Sequence, residues 1–208
     1  MTRLQSPEFT SRRGFINTSA GLLAGTAAFR FPTPAIAQAA AIKVGFMLPY
    51  SGTFGKLGQF IDEGFRLYVD QKGGKLGGRP VQYVQVDDES KPENATDNMN
   101  RLVGREKADV IVGTVHSGVA MGMVKVARDT NSLLIIPNAG VNEATGPLCA
   151  PNIWRTSFSN WQVCQPMGKV MADAGLKNVV TITWRYAAGE QMINAFKEGF
   201  QANGGKVV

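Results

Sequence analysis

Residues 113–118, with the sequence Gly-Thr-Val-His-Ser-Gly, carry the sharpest chemical signal in the chain. They follow a β-branched stretch typical of a strand and lead into a helical pattern that begins at Ser117. Free backbone N–H groups and the positive end of a helix dipole would face the space beyond the strand, where an anionic group binds well. Ser117 and His116 are therefore candidate ligand contacts. The alternative is structural, because a serine can cap a helix without any ligand and His116 can be an ordinary structural histidine.

Three loops are expected to share the edge at which such a ligand binds. In an open parallel sheet the ligand crevice lies beyond the carboxyl ends of the strands, which selects residues 49–58, 113–118 and 137–145. All three loops are rich in glycine and small polar residues. The candidate ligand-binding residues in the first two loops are Tyr50, Phe54, His116 and Ser117. Tyr50 and Phe54 would form a stacking wall, although aromatic residues after a strand also pack on the edge of a core.

Catalytic chemistry is poorly supported by the residue types. His116 and Ser117 are adjacent, which aims their side chains apart, and the chain has one histidine and no G-x-S-x-G elbow. Residues 52–57 lack the Ser or Thr that follows lysine in a phosphate-binding loop. We predict no catalytic residues, and a hydrolase is the weakest of the alternatives considered.

No metal site or cofactor is predicted either. Residues 87–89, Asp-Asp-Glu, form an acidic cluster, but three acids between a strand and a helix are usually solvated or helix-capping. Cys149 and Cys164 are separated by fourteen residues and form no C-x-x-C pair, which argues against structural zinc. A disulfide between them and two buried thiols are equally compatible with that spacing.

The first 37 residues predict an export signal. Arg12 and Arg13 precede a mildly apolar run at 18–29, and the small residues before position 38 suit cleavage after Ala37, which resembles a twin-arginine signal. This segment carries three of the six net positive charges, and the later basic residues form no stripe for nucleic acid. No later run is long enough to span a bilayer. We expect a periplasmic protein with no direct membrane insertion after the signal is removed.

Strand and helix patterns alternate along the rest of the chain. Strands are predicted at 42–48, 81–88, 109–113 and 133–136, with helices at 57–71, 92–106 and 117–129 and a turn at 75–80. This order predicts an α/β fold with a doubly wound parallel sheet. The pattern then restarts with a helix at 161–174, a strand at 179–183, a helix at 190–202 and an unpaired strand from 206. We expect a lobe at 38–157 and the incomplete start of a second α/β lobe at 158–208.

Five stretches in order resemble the leucine/isoleucine/valine-binding family, the type I periplasmic binding proteins of ABC importers. They are residues 42–52, 87–92, 112–117, 136–140 and 152–156, and the resemblance covers residues 42–208. It implies two lobes that close on a ligand, with Ser117 and the backbone at Asn138 and Gly140 holding its carboxylate or ammonium. The resemblance thereby adds Asn138, Ala139 and Gly140 to the candidate ligand-binding residues. The family usually has Thr or Ser at the position of Gly140 and an aromatic residue near Ala188. At both positions the chain resembles the subgroup of this family that binds aromatic carboxylates such as benzoate derivatives.

The resemblance implies a solute-binding protein that delivers a small carboxylate, an amino acid or an aromatic acid, to a membrane permease. A ligand-sensing receptor of the same fold is the main alternative. Arg185 would pair with a carboxylate if it faces the cleft. The alternative is that Arg185 is a solvated surface residue. Tyr186 beside it is a further candidate contact. The chain is short for this family, so we expect a fragment or truncated product with weak or absent ligand binding on its own.

Overall fold

The computed structural model describes residues 40–208, so the predicted export signal lies outside the described residues. The strands are β1 (Ile42–Leu48), β2 (Lys75–Leu76), β3 (Arg79–Asp87), β4 (Val110–Val112), β5 (Leu133–Ile136), β6 (Ile153–Arg155), β7 (Asn178–Val179) and β8 (Lys206–Val207). The helices are α1 (Gly55–Gln71), α2 (Ala95–Asn100), α3 (Ser117–Thr130), α4 (Asn160–Asp173) and α5 (Ala187–Ala202). A 3₁₀ turn, Pro92–Asn94, precedes α2 and a π-helical turn, Arg101–Arg105, follows it, and a second 3₁₀ turn spans Asn142–Thr145.

The main sheet has six strands in the order β2-β3-β1-β4-β5-β6. All neighbours pair in parallel except β2 and β3. Chain order reverses at β1, whose neighbours are β3 on one side and β4 on the other, and such a switch point leaves a crevice at the carboxyl ends of the strands. The loops after β1 and β4 therefore flank the place where a ligand is expected.

Both faces of this sheet are covered by packed side chains. Alternate residues of β1 point to opposite faces, and those from Val44 to Leu48 are buried on both. Phe46 lies on one face and meets Phe65 of α1 edge-on, with ring centroids 5.2 Å apart. Met47 lies on the other face, in a core shared with Met99 of α2 and Met123 of α3. The predicted doubly wound α/β arrangement is confirmed, and it holds the loop edge on a rigid core.

Three sequence predictions about secondary structure were wrong in detail. Residues 75–80 are a hairpin rather than a simple turn, since Gly77 and Gly78 take positive φ values and let β2 fold back on β3. The strand expected at 179–183 is only β7, and Ile182 beyond it is 96% exposed. The strand from 206 is not unpaired, because β8 pairs in parallel with β7.

An uncovered apolar surface follows from the short β7. Four apolar side chains are exposed next to a cleft of about 430 Å³ between α4 and α5: Val180, Ile182, Met167 and Val170.

Within residues 40–208 Cys149 is exposed, Cys164 is half-buried, and both are free thiols. Among residues 40–208 no helix is both long and apolar enough to cross a membrane.

Candidate ligand-binding site

The loops after β1, β4 and β5 meet at a cavity of about 240 Å³. Ser117, Asn138 and Gly140 line it together with Phe54 and Tyr186. The remaining lining residues are Leu57, Val115, Phe158, Ser159, Asn160, Val163, Ala188 and Met192. Because none of these thirteen side chains is an acid or a base, the cavity is neutral, with a largely apolar wall and a few hydrogen-bonding groups.

Gly140 is in close contact with Asn160, the first residue of α4. The backbone N–H of Asn160 donates to the Gly140 carbonyl oxygen at 2.6 Å. A Cβ atom on residue 140 would collide with Asn160 Oδ1 and lie 3.0 Å from Asn160 Cγ. Asn160 is only 3% exposed, so its carboxamide cannot simply move aside into solvent. The amide therefore occupies the space that a Ser or Thr side chain at position 140 would need.

Gln191 of α5 fixes the orientation of that carboxamide. Its Oε1 accepts hydrogen bonds from Asn160 Nδ2 at 2.9 Å and from the Asn142 N–H at 3.0 Å. Its Nε2 donates to Glu143 Oε2 at 2.6 Å. Because both ends of the Gln191 amide are in use, Asn160 must present its NH₂ group to Gln191, and that group also lies 3.4 Å from Ser117 Oγ.

Ser117 is positioned to donate into the cavity. It is 1% exposed, and its Oγ accepts from Asn160, which leaves its own O–H free to donate. It begins α3, where the helix dipole favours an anion. Ser117 is not the helix cap, so that alternative was wrong. The cap is His116, whose Nδ1 accepts from the N–H groups of Gly118 at 3.1 Å and Val119 at 3.4 Å.

His116 is a neutral donor toward the ligand side rather than a base. Burial lowers the pKa of its imidazole. Since Nδ1 accepts two backbone N–H groups, the proton of the neutral ring resides on Nε2. Nδ1 is therefore unable to deprotonate the adjacent Ser117, which removes the one serine–histidine pair that the sequence offered.

The capping role of His116 predicts a pH-dependent stability. Because the folded-state pKa is lowered, the capping contribution is complete above about pH 6.5, the ordinary histidine pKa, and is lost as the pH falls below it. The loss should approach the value of a helix cap, about 1 kcal/mol. His116→Asn keeps an acceptor and does not titrate. Urea unfolding at about pH 7.5 and pH 5.5 should show this loss only in the wild type, and an equal loss in both proteins would contradict the assignment.

A second cavity of about 220 Å³ shares the Phe54 and Tyr186 walls with the first. Its other lining residues are Thr53, Ser90, His116, Trp184 and Arg185. The Phe54 centroid lies 6.2 Å from that of His116 and 6.3 Å from that of Trp184. The Tyr186 centroid lies 5.2 Å from that of His116 and 6.5 Å from that of Trp184. Each of the four rings is therefore next to two of the others.

Two candidate residues line neither of these cavities. Tyr50 packs beside the core under α1, and its hydroxyl is 3.2 Å from Asp62 Oδ2. Burial raises the pKa of this phenol, as expected for a hydroxyl that stays protonated. Ala139 is 1% exposed in the opposite core, and its N–H donates to the Thr114 carbonyl. Tyr50 therefore packs at the edge of the core rather than in the wall of a cavity. The Ala139 side chain faces the protein interior.

The carboxylates of the acidic cluster join neighbouring loops through hydrogen bonds. Asp87 Oδ2 accepts from Ser51 Oγ at 2.6 Å. Asp88 is fully buried, accepts from Ser90 N at 2.8 Å and from Thr114 Oγ1, and has a pKa raised by burial. The expectation of a solvated or capping role was thus wrong for Asp88. In the described part of the chain no group of three or more His, Cys, Asp or Glu side chains is placed to hold a metal ion.

Sequence reasoning missed Asn160, Gln191 and Trp184. A signal for Asn160 existed, because Ser159 and Gln162 form a capping box that marks the start of α4 beside the cleft. Gln191 gave none, since its contact with Asn160 spans 31 residues. Only the folded chain shows that contact.

A doubly wound sheet with a neutral, aromatic-walled cleft at its switch point is the architecture of a small-molecule binding protein. The chain belongs to the periplasmic binding protein family, whose sequence pattern matches residues 41–208.

Individual relatives agree with this assignment. An ABC-transporter solute-binding protein of R. palustris, solved in complex with benzoate, is 55% identical with a TM-score of 0.79, covering 81% of this chain and 47% of that one. Another from Rhodopseudomonas palustris BisB5, solved with 3,4-dihydroxybenzoic acid, is 31% identical with a TM-score of 0.74, covering 81% and 46%. Leu/Ile/Val-binding protein homolog 6 of Brucella abortus is 30% identical over 173 residues, 83% of this chain and 44% of the relative.

The resemblance and the type I fold predicted from the sequence are thereby confirmed. The chain spans less than half the length of each of these three relatives.

Proposed function

We propose that this chain is the ligand-capturing part of an ABC-importer solute-binding protein for a benzoate-type carboxylate. The observation that carries the proposal is the first cavity, in which neutral donors meet aromatic walls. The Ser117 hydroxyl and the amino end of α3 suit a carboxylate, while Phe54 and Tyr186 suit an aromatic ring. The relatives solved with benzoate and 3,4-dihydroxybenzoic acid support this ligand class.

The charge of the cavity favours an aromatic acid over an α-amino acid. A zwitterion brings an ammonium group that needs an acceptor, and leaving it unpaired in a partly buried site is costly. No acidic side chain is among the residues that line the first cavity. A benzoate has no ammonium group, so its binding leaves no such group without a partner.

The protein would act in the periplasm and hand its ligand to a membrane permease. Family membership and the residues 1–37 expected to direct export support that location. Hydrogen bonds join Asn160 to Ser117, and join Gln191 to Asn142 and Glu143, at the loop edge of the main sheet. They are contacts of the kind that a lobe closing over a ligand would make. No chemical change of the ligand is required for this role.

Ser117→Ala tests the proposal directly. Losing the hydroxyl should weaken benzoate binding about tenfold, the value of one hydrogen bond to a charged group. The measurement is a ¹H–¹⁵N NMR titration of the chain, which detects weak binding, with leucine as the competing ligand class. Ser132→Ala just beyond the far end of α3 is the matched control, because the Ser132 hydroxyl contacts Thr130 and is not among the lining residues.

Benzoate should shift the resonances of the loops after β1, β4 and β5, both in the wild type and in Ser132→Ala. Saturation by leucine without any response to benzoate would show that the proposed ligand class is wrong.

A further inference from the structure

The second cavity is adjacent to the first and differs from it in charge. Phe54 and Tyr186 are walls of both cavities, so an aromatic ring held by the two side chains has the neutral cavity at one end and the second cavity at the other. Arg185 lines the second cavity, and no acidic side chain does. The two ends of the cleft therefore present different chemistry to one ligand.

Hydrogen-bond donors without partners converge on this second cavity. Arg185 is exposed, and within residues 40–208 it takes part in none of the ion pairs. Ser90 Oγ is buried and lacks a hydrogen-bond partner in the described structure. His116 carries its proton on Nε2, because Nδ1 is used by the helix cap. A buried hydroxyl without a partner is costly, so this arrangement is satisfied best by an acceptor brought in with a ligand.

We propose that the second cavity is a subsite for an acidic substituent on the far side of the aromatic ring. The ligand class is then an aromatic dicarboxylate, with one carboxylate at Ser117 and the other at Arg185. This inference rests on the proposed function and extends it. Arginine binds a carboxylate through two parallel hydrogen bonds, and Ser90 and His116 supply further donors at the same cavity.

A cationic ligand is the competing interpretation of the four rings. Aromatic cages attract quaternary ammonium groups through the negative faces of their rings. Here the guanidinium of Arg185 stands at the same cavity and would repel a second cation, and no lining carboxylate offsets it. The charge of the cavity therefore selects an anion.

The experiment compares benzoate with terephthalate, a para-linked aromatic dicarboxylate, by ¹H–¹⁵N NMR titration of the whole chain. Terephthalate should bind the wild type about tenfold more tightly than benzoate. Arg185→Gln should abolish this difference, because terephthalate loses its charged partner and about tenfold in affinity. Arg105→Gln is the matched control, because it removes the same charge from an exposed residue that lines neither cavity.

The outcomes separate the two proposals. Benzoate and terephthalate binding equally to the wild type, or Arg185→Gln weakening both acids alike, overturns the subsite and leaves the proposed function standing. No response to either acid overturns both. Tight binding of tetramethylammonium without binding of terephthalate would assign the rings to a cation and overturn the subsite.

Discussion

Gly140→Ser should displace the Asn160 side chain and disrupt ligand binding in the first cavity. Any Cβ at position 140 collides with Asn160 Oδ1, and Asn160 is held by Gln191, by Ser117 and by its own backbone hydrogen bond to residue 140. The side chain must leave this pocket and break those hydrogen bonds. We expect the free energy of unfolding to fall by about 1–3 kcal/mol, as for other overpacked sites. Benzoate binding should weaken more than about tenfold, measured by urea unfolding and NMR titration.

A double-mutant cycle shows whether the collision is the cause. Asn160→Gly makes room, so Gly140→Ser should cost far less in that background, with a coupling of about 1–2 kcal/mol between the two sites. Gly64→Ser is the matched control, because a Cβ on Gly64 meets no atom within 4 Å. Additive effects of the two substitutions would contradict the contact between residues 140 and 160.

The position of the cleft could be predicted from the sequence because it depends on local signals. β-branched runs mark the strands, helix starts mark the loops between them, and parallel pairing brings the strand ends to one edge. Ser117 and the loop at 137–145 follow from this rule without knowledge of any contact, whereas Asn138 and Gly140 within that loop came from the family resemblance. The fold class depends on the same alternation, which explains why it was confirmed.

The remaining features depend on contacts between residues distant in sequence. Tyr50 and Phe54 occupy one loop, but only the packing of α1 decides that the Tyr50 hydroxyl reaches Asp62. The sequence also offered helix capping as the alternative role of Ser117, because serine is a common cap. Only the folded loop shows that His116 is the cap. The strand expected to reach position 183 failed for a similar reason. A β-branched run forms a strand only where a partner strand exists, and Val179 is the one residue of 179–183 that pairs with β8.

Asn160→Asp should strongly weaken carboxylate binding at neutral pH. The substitution keeps the shape of the side chain and replaces the NH₂ group by an oxygen. That oxygen would face Gln191 Oε1, which already accepts from the Asn142 N–H. Rotating the Gln191 amide does not help, because its oxygen would then face the Glu143 carboxylate that now accepts from Nε2. The new charge also lies beside Ser117, next to the bound carboxylate, and the repulsion should weaken benzoate binding about 100-fold.

The pH dependence of this variant distinguishes charge repulsion from misfolding. Burial and the bound carboxylate both raise the pKa of an acid at position 160, so the acid should be protonated as the pH falls while benzoate is still ionised. The protonated carboxyl group of the Asn160→Asp variant again offers a donor in place of the lost amide, and binding should recover partly in NMR titrations between about pH 8 and pH 5.5. Asn100→Asp, on an exposed position of α2, should bind like the wild type throughout. A loss that is independent of pH would mean that the Asn160 amide supports the cleft only by its packing, because charge repulsion at that position must weaken as the acid takes up its proton.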